Sequence, residues 1–345
     1  MRFPPLWAAF CLAGSAALAA DVPPLVVKVV VVATFEVGKD AGDTPGEFQL
    51  WAEREKFDRQ IAVPGLAHPV YVSDRGELAV VSGTTARCAV QLMALGLDPR
   101  FDFSHAYWIL DGIAGVDPAD ASLASAAWAK YVVDGDVAYE IDSRETPADW
   151  PYSLIPIGGK KPNDPPKPEG WEPAIMAYPL NPALVDRAFA LTKDVALADT
   201  PAMAKVRAAY AGSPNAQRPP FVLEGDVIGS CRFWHGPAMT KWANDWTALW
   251  THGQGNFVMT AMEDQGYAAA LTELAGLHRV DFQRVLVLRT ASNYCTPPPG
   301  TSSLASLQAE FVAFRPSVES CYRVGSVVVH DILAHWDESY AAGIK

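Results

Sequence analysis

Leu25 to Ala33 reads LVVKVVVVA, a nearly unbroken β-branched run. A run of this kind packs on both faces of a sheet, so it predicts a central strand and not a half-wet hairpin strand. Working outward, apolar segments at Leu78–Ser82, His105–Asp111, Trp128–Val133, Phe257–Thr260 and Arg284–Arg289 predict further strands. Helical spacing falls between them at Thr85–Ala94, Gln265–Ala275 and Leu304–Phe314. Strands alternating with helices predict an α/β fold with a central mixed β-sheet flanked by helices. The stretch from about 149 to 220 differs: PIGGKKPNDPPKPEGWEP gives way to helical material. There Asn181-Pro182 reads as an N-cap followed by a first-turn proline, opening a helix through Leu197. This Pro-rich and helical stretch reads as an insertion on one edge of the sheet, within a single domain spanning 21–345.

Composition narrows the partners. With 50% hydrophobic and 19% charged residues over 345 positions, the chain can bury an ordinary core. Its net charge of −12, with no basic cluster longer than Lys160-Lys161, offers nothing to neutralise phosphate backbones, so nucleic acid is not an expected partner. Met1 to Ala20 has Arg2, an apolar stretch from Leu6 to Leu18 and small residues before Asp21, which predicts a signal peptide cleaved near Ala20 and a secreted or periplasmic protein. No other apolar run is long enough to span a bilayer, so the mature chain is expected to have no membrane span. Cleavage removes Cys11 and leaves Cys88, Cys231, Cys295 and Cys321, which allow three disulfide pairings in an oxidising compartment. No Cys-x-x-Cys occurs, and no metal or cofactor is expected.

Three stretches place polar or glycine residues after an apolar strand, where open α/β sheets build ligand crevices. AYWILDGIAGVDP (Ala106–Pro118) carries Gly112 and Gly115, which would let a ligand approach the backbone closely. NFVMTAMEDQGYAAAL (Asn256–Leu271) carries Met262, Glu263 and Asp264 at a helix start, where an acidic pair also serves as a dipole-complementing cap. RVLVLRTASNYCTPPPG (Arg284–Gly300) runs from a buried strand into Ser292-Asn293 and three prolines.

Together with VVATFE near the start and Tyr139–Glu145, these stretches resemble the purine nucleoside permease family, which is similar by fold to the nucleoside phosphorylases and nucleosidases. The resemblance implies a three-layer nucleoside phosphorylase-like fold and purine nucleosides such as inosine, guanosine and adenosine as ligands. It implies that Glu263, with Met262 beside it, binds the ribose hydroxyls. Asn293 takes the place where many members carry an acid at purine N7. A neutral amide accepts from N7–H and donates to O6, which favours 6-oxopurines. Phe233 or Trp234, in Ser230–His235, implies the aromatic face that stacks on the base. Glu36 matches the carboxylate that activates water in nucleosidases, with Asp40, Asp43 and Glu47 as competitors. At the positions matching the phosphorylases' phosphate ligands stand Leu110 and Ile113, so water is the expected acceptor. The reading is therefore a nucleosidase-like protein cleaving the N-glycosidic bond. Its alternative is a nonenzymatic binding component that hands purine nucleosides to a separate membrane transporter. The preferred base and the oligomeric state stay open.

Overall fold

The computed structural model describes residues 23–165 and 176–345. The expected leader at 1–20, Cys11 and the middle of the Pro-rich stretch lie outside the described residues. Val29–Ala33 is buried along its whole length, as its composition predicts. It pairs in parallel with Glu77–Val81 on one side and with Tyr107–Val116 on the other. Tyr107–Val116 runs parallel to Val285–Tyr294 on its second edge. Phe257–Ala261, Asp226–Gly229, Tyr131–Asp134 and Ala177–Pro179 continue the same 12-stranded mixed sheet to one edge. The helix Phe314–Ala334 packs on the two long strands, and Ala86–Leu97 packs on Asp264–Gly276. The α/β class with a mixed sheet and helices is the fold observed.

Several boundaries differ from the sequence expectation, each for a local reason. The segment expected as one strand at Trp128–Val133 is two, Ala126–Trp128 and Tyr131–Asp134. Between them the amides of Lys130 and Tyr131 donate to the Asp226 carboxylate and leave any ladder. The strands expected to end at Asp111 and Arg289 run on to Val116 and Tyr294, because each supplies the other's ladder partners. The expected helix at Leu304–Phe314 is only a short turn of helix at Ser303–Leu307, followed by irregular chain before Phe314–Ala334 begins. Asn181 does cap its helix, accepting from the amides of Ala183 and Leu184, but the helix ends at Thr192. Within the 149–220 stretch, Ala177–Pro179 adds the edge strand beside Tyr131–Asp134.

None of the disulfides allowed by the cysteine count forms: Cys88, Cys231, Cys295 and Cys321 are all free. Each buried thiol has a separate polar neighbour, Cys88 at the Thr85 carbonyl, Cys295 at Thr240 Oγ1 and Cys321 at Thr290 Oγ1. Burial, not a bridge, accounts for them. Trp242, Trp246 and Trp250 follow one another along one helix at ring separations of 5.7 and 5.6 Å, tilted and edge to face, and form a packing stripe.

Candidate functional site

The long strand Tyr107–Val116 has an edge with two successive partners. Val29–Ala33 covers it up to Asp111, and Phe257–Ala261 takes over, antiparallel, at Gly115. Over residues 112–114 that edge has no strand partner, and the Ile113 amide would go unpaired. Glu47 fills the gap: its Oε1 accepts from Ile113 N–H at 2.7 Å and its Oε2 from Thr34 N–H at 2.7 Å. The carboxylate thus sits where three strands part, at the carboxyl end of the central strand, the place at which open sheets hold ligands.

Glu263 and Asp264 join it from the loop after Phe257–Ala261. Glu263 stands at the N-cap position of Asp264–Gly276 but makes no side-chain cap bond. Its Oε1 instead accepts from Thr34 Oγ1 at 3.1 Å and lies 3.1 Å from Arg289 Nη1. Arg289 comes from inside the apolar strand Val285–Tyr294, is 1% exposed, and grips Asp264 through Nε and Nη2. Three buried carboxylates therefore surround one guanidinium, with Asp264 holding the bidentate pairing. Glu47 and Glu263 are left to share the remaining field. Burial raises both carboxyls well above the ordinary range; Arg289 opposes the shift, and Asp264 and Glu47 add to it at Glu263. A carboxyl group in this state exchanges protons near neutral pH, as a general acid or base must.

A cavity of about 190 Å³ opens onto this group, with Thr34, Glu47, Glu263, Met262, Phe233 and Asn293 among its walls. Asn293 and Ser292 reach it through a bulge: Ala291 pairs with Ala114 and Asn293 with Gly115, leaving Ser292 as the extra residue. Ser292 Oγ donates to Asn293 Oδ1 at 2.9 Å and Asn293 Nδ2 donates to the Tyr294 carbonyl at 3.1 Å, which fixes the amide's orientation.

Of the residues singled out in the sequence, Glu263, Met262, Asn293, Phe233 and Gly115 border this cavity. Three do not. Glu36 is turned away: its carboxylate accepts from the amides of Val37, Gly46, Phe48 and Gln49 and braces the loop that delivers Glu47. Asp40 and Asp43 are likewise occupied, by His68 and Tyr71 and by the Lys39 amide. Trp234 is buried against Trp242 and Phe257 in the core and is absent from the cavity wall. Gly112 lies inside the strand, and what approaches its backbone is protein: a Cβ there would fall 2.1 Å from Arg289 Nη1 and 2.6 Å from Glu47 Oε1. Gly112→Ala should accordingly cost about 1–3 kcal/mol in chemical denaturation, the range for overpacking a filled interior, because neither neighbour is free to move. A cost below about 0.5 kcal/mol would contradict that packing.

The residues missed by sequence reasoning are Thr34 and Arg289, and Glu47 was named only as a competitor. A usable signal was present for Arg289, since an arginine within an apolar strand demands a buried carboxylate, and Glu263-Asp264 was the acidic pair at hand.

The buried acids also set a pH dependence. Burial raises Asp111 to about 6, and burial with Glu55 nearby raises Glu77 to about 8, in the same direction as Glu47 and Glu263. A carboxyl whose folded pKa is raised binds its proton more tightly when folded, so its contribution is full below about 4 and is lost as pH climbs through the folded value. His235, lowered by burial, acts oppositely below its ordinary value. Acids lowered by their partners, such as Asp98 and Asp136, act below this window. The melting temperature should therefore fall between pH 5 and pH 8.5, and Glu77→Gln should flatten the upper part. A melting temperature that rises over this interval would contradict the burial of these carboxyls as charged-state penalties.

The family profile described as purine nucleoside permease (NUP) matches residues 26–345. A purine nucleoside permease of Candida albicans is 29% identical over 329 residues, covering 92% of this chain and 78% of that protein. Among solved structures, a Helicobacter pylori 5′-methylthioadenosine/S-adenosylhomocysteine nucleosidase mutant, with 5′-methylthioadenosine in its active site, superposes with a TM-score of 0.53 at 14% identity, covering 88% of this chain and 99% of that one. Futalosine hydrolase of the same organism gives a TM-score of 0.53 at 13% identity, covering 88% and 98%. At such identities the two structures establish the shared fold. With the profile spanning nearly all of the described residues, the chain belongs to the purine nucleoside permease family.

Proposed function

We propose that the chain binds a purine nucleoside in the cavity at the strand fork and cleaves its N-glycosidic bond with water as the acceptor. The ribose hydroxyls lie against Glu263 and Met262, and the base lies between Phe233 and Asn293. As the bond from C1′ to the base breaks, its electron pair leaves with the base, positive charge grows on the sugar, and Glu263 in its ionised form stabilises it. Glu47 takes a proton from water while the water oxygen bonds to C1′. The departing base takes its proton from solvent, and Asn293 Oδ1 accepts a hydrogen bond from N7–H.

The observation that carries the choice of water is the cavity wall, which includes two carboxylates and, among the described residues, no lysine, arginine or histidine. A phosphate with about two negative charges would meet repulsion without a charged donor there. Leu110, fully buried, and Ile113 supply no polar side chain. Incubating the protein with inosine, guanosine and adenosine, with and without phosphate, tests this. Free base is expected in both conditions at equal rates; release only with phosphate overturns it.

A second reading has one specific support: Asn293 stands where a proton-donating acid would aid departure of the base. On that reading the chain captures purine nucleosides and passes them to a separate membrane transporter, in keeping with its relatives' name. Nucleoside binding without base release would decide for it. Under both readings the protein acts outside the cytoplasmic membrane, supported by the leader-like Met1–Ala20. Among the described residues no helix is long and apolar enough to cross a membrane.

A further inference from the structure

The cavity against Glu263 has a neighbour on the other side of Asn293. Ser292 and Asn293 also line a second cavity of about 240 Å³, which neither Thr34, Glu47 nor Glu263 reaches. Its walls are mainly apolar, with Leu123, Val206, Tyr210 and Phe311 among them. Phe311 meets Phe233 edge to face at 6.4 Å, so one aromatic pair marks the border between the two chambers. His235 lines the second chamber, and both its ring nitrogens are buried without a hydrogen-bond partner. An unpaired buried imidazole is costly, and a ligand heteroatom would relieve it.

We propose that this second chamber is a subsite for an apolar substituent at position 6 of the purine, so that the chain takes 6-alkoxy or 6-arylmethoxy purine nucleosides. The proposal rests on the nucleoside reading above. With the sugar at Glu263 and with Asn293 spanning N7 and the group on C6, the substituent carried by C6 is the part of the ligand that faces across Asn293. An unsubstituted purine leaves the apolar walls beyond it unfilled. A benzyl or branched alkyl group covers them, and the ring N–H of neutral His235 donates to the linking ether oxygen.

Calorimetric titration of the full chain with inosine and with 6-benzyloxypurine riboside tests this. The benzyl ligand is expected to bind about tenfold more tightly, the gain for burying one aromatic group after ordering costs. Two plugs placed on different walls, Val206→Trp and Ser306→Trp, should each remove that gain while leaving inosine within about twofold. Weaker binding of the benzyl ligand than of inosine, or a gain that survives in a folded plug, overturns the subsite alone. Failure of inosine itself to bind the wild type overturns the nucleoside reading, and the subsite with it.

Discussion

Arg289→Met should destabilise the protein by about 3–5 kcal/mol at pH 7.5, the cost of removing one partner from a buried ion pair. The reason is local. Asp264 is 0% exposed and has Arg289 as its bidentate partner, while Glu47 and Glu263 stand within the same enclosed group. Methionine fills much of the volume, so the loss measures charge more than space. The loss should shrink at pH 5.5, where Glu47 and Glu263, both raised by burial, hold protons and are no longer buried charges. Adding Asp264→Leu should recover part of the stability, since replacing both members of a buried pair by apolar groups is often near neutral. Equilibrium denaturation of the wild type and both variants at the two pH values measures these effects. A loss under about 1 kcal/mol, or one independent of pH, would show that Arg289 is not the counter-ion of this group.

Glu263→Gln should leave the fold intact and remove function. Gln is nearly isosteric and keeps a carbonyl oxygen for Thr34, but it carries no negative charge for a developing oxocarbenium ion. Base release in kcat/KM is expected to drop about 10²- to 10³-fold, the scale seen when one preorganised electrostatic partner is lost. Stability at pH 8 should be unchanged or higher, because a carboxyl that resists ionisation in the fold is replaced by a neutral group. Such opposition between stability and activity marks a group kept for chemistry. Base release at the wild-type rate would remove Glu263 from the reaction, and nucleoside binding that persists with no turnover in either form would favour the capture reading.

What could be read from residues alone, and what could not, has physical causes. Val29–Ala33 was legible because an unbroken β-branched run has one stable setting, the middle of a sheet. Glu263 was legible because it comes just after the apolar strand Phe257–Ala261, and Asn293 because it stands at the carboxyl end of Val285–Tyr294, where strand ends converge on one edge of an open sheet. Glu47 was hidden because it lies in a turn-rich loop whose return path is fixed by tertiary contacts. Its neighbour Glu36 has the same residue type at a more orthodox place, directly after the first strand. Backbone amides claim Glu36 and free Glu47 to enter the fork, a division that only coordinates display. Gly112 and Gly115 read as a place where a ligand comes close to the backbone, because glycine has no Cβ in the way. Here they keep room inside a continuous strand for Arg289 and Glu47 on one residue and Thr260 and Asn293 on the other. Phe233 and Trp234 differ by a single step in sequence, yet one faces the cavity and the other the core, and pattern alone could not choose between them.

A crystal structure of the protein soaked with inosine at a pH where turnover is slow places the ligand directly. Expected are the ribose hydroxyls within hydrogen-bond distance of Glu263, the base on Phe233 with Asn293 at its N7 edge, and C1′ open toward Glu47. Inosine bound elsewhere, or seated with its ribose away from Glu263 and Glu47, would contradict the strand fork as the nucleoside site.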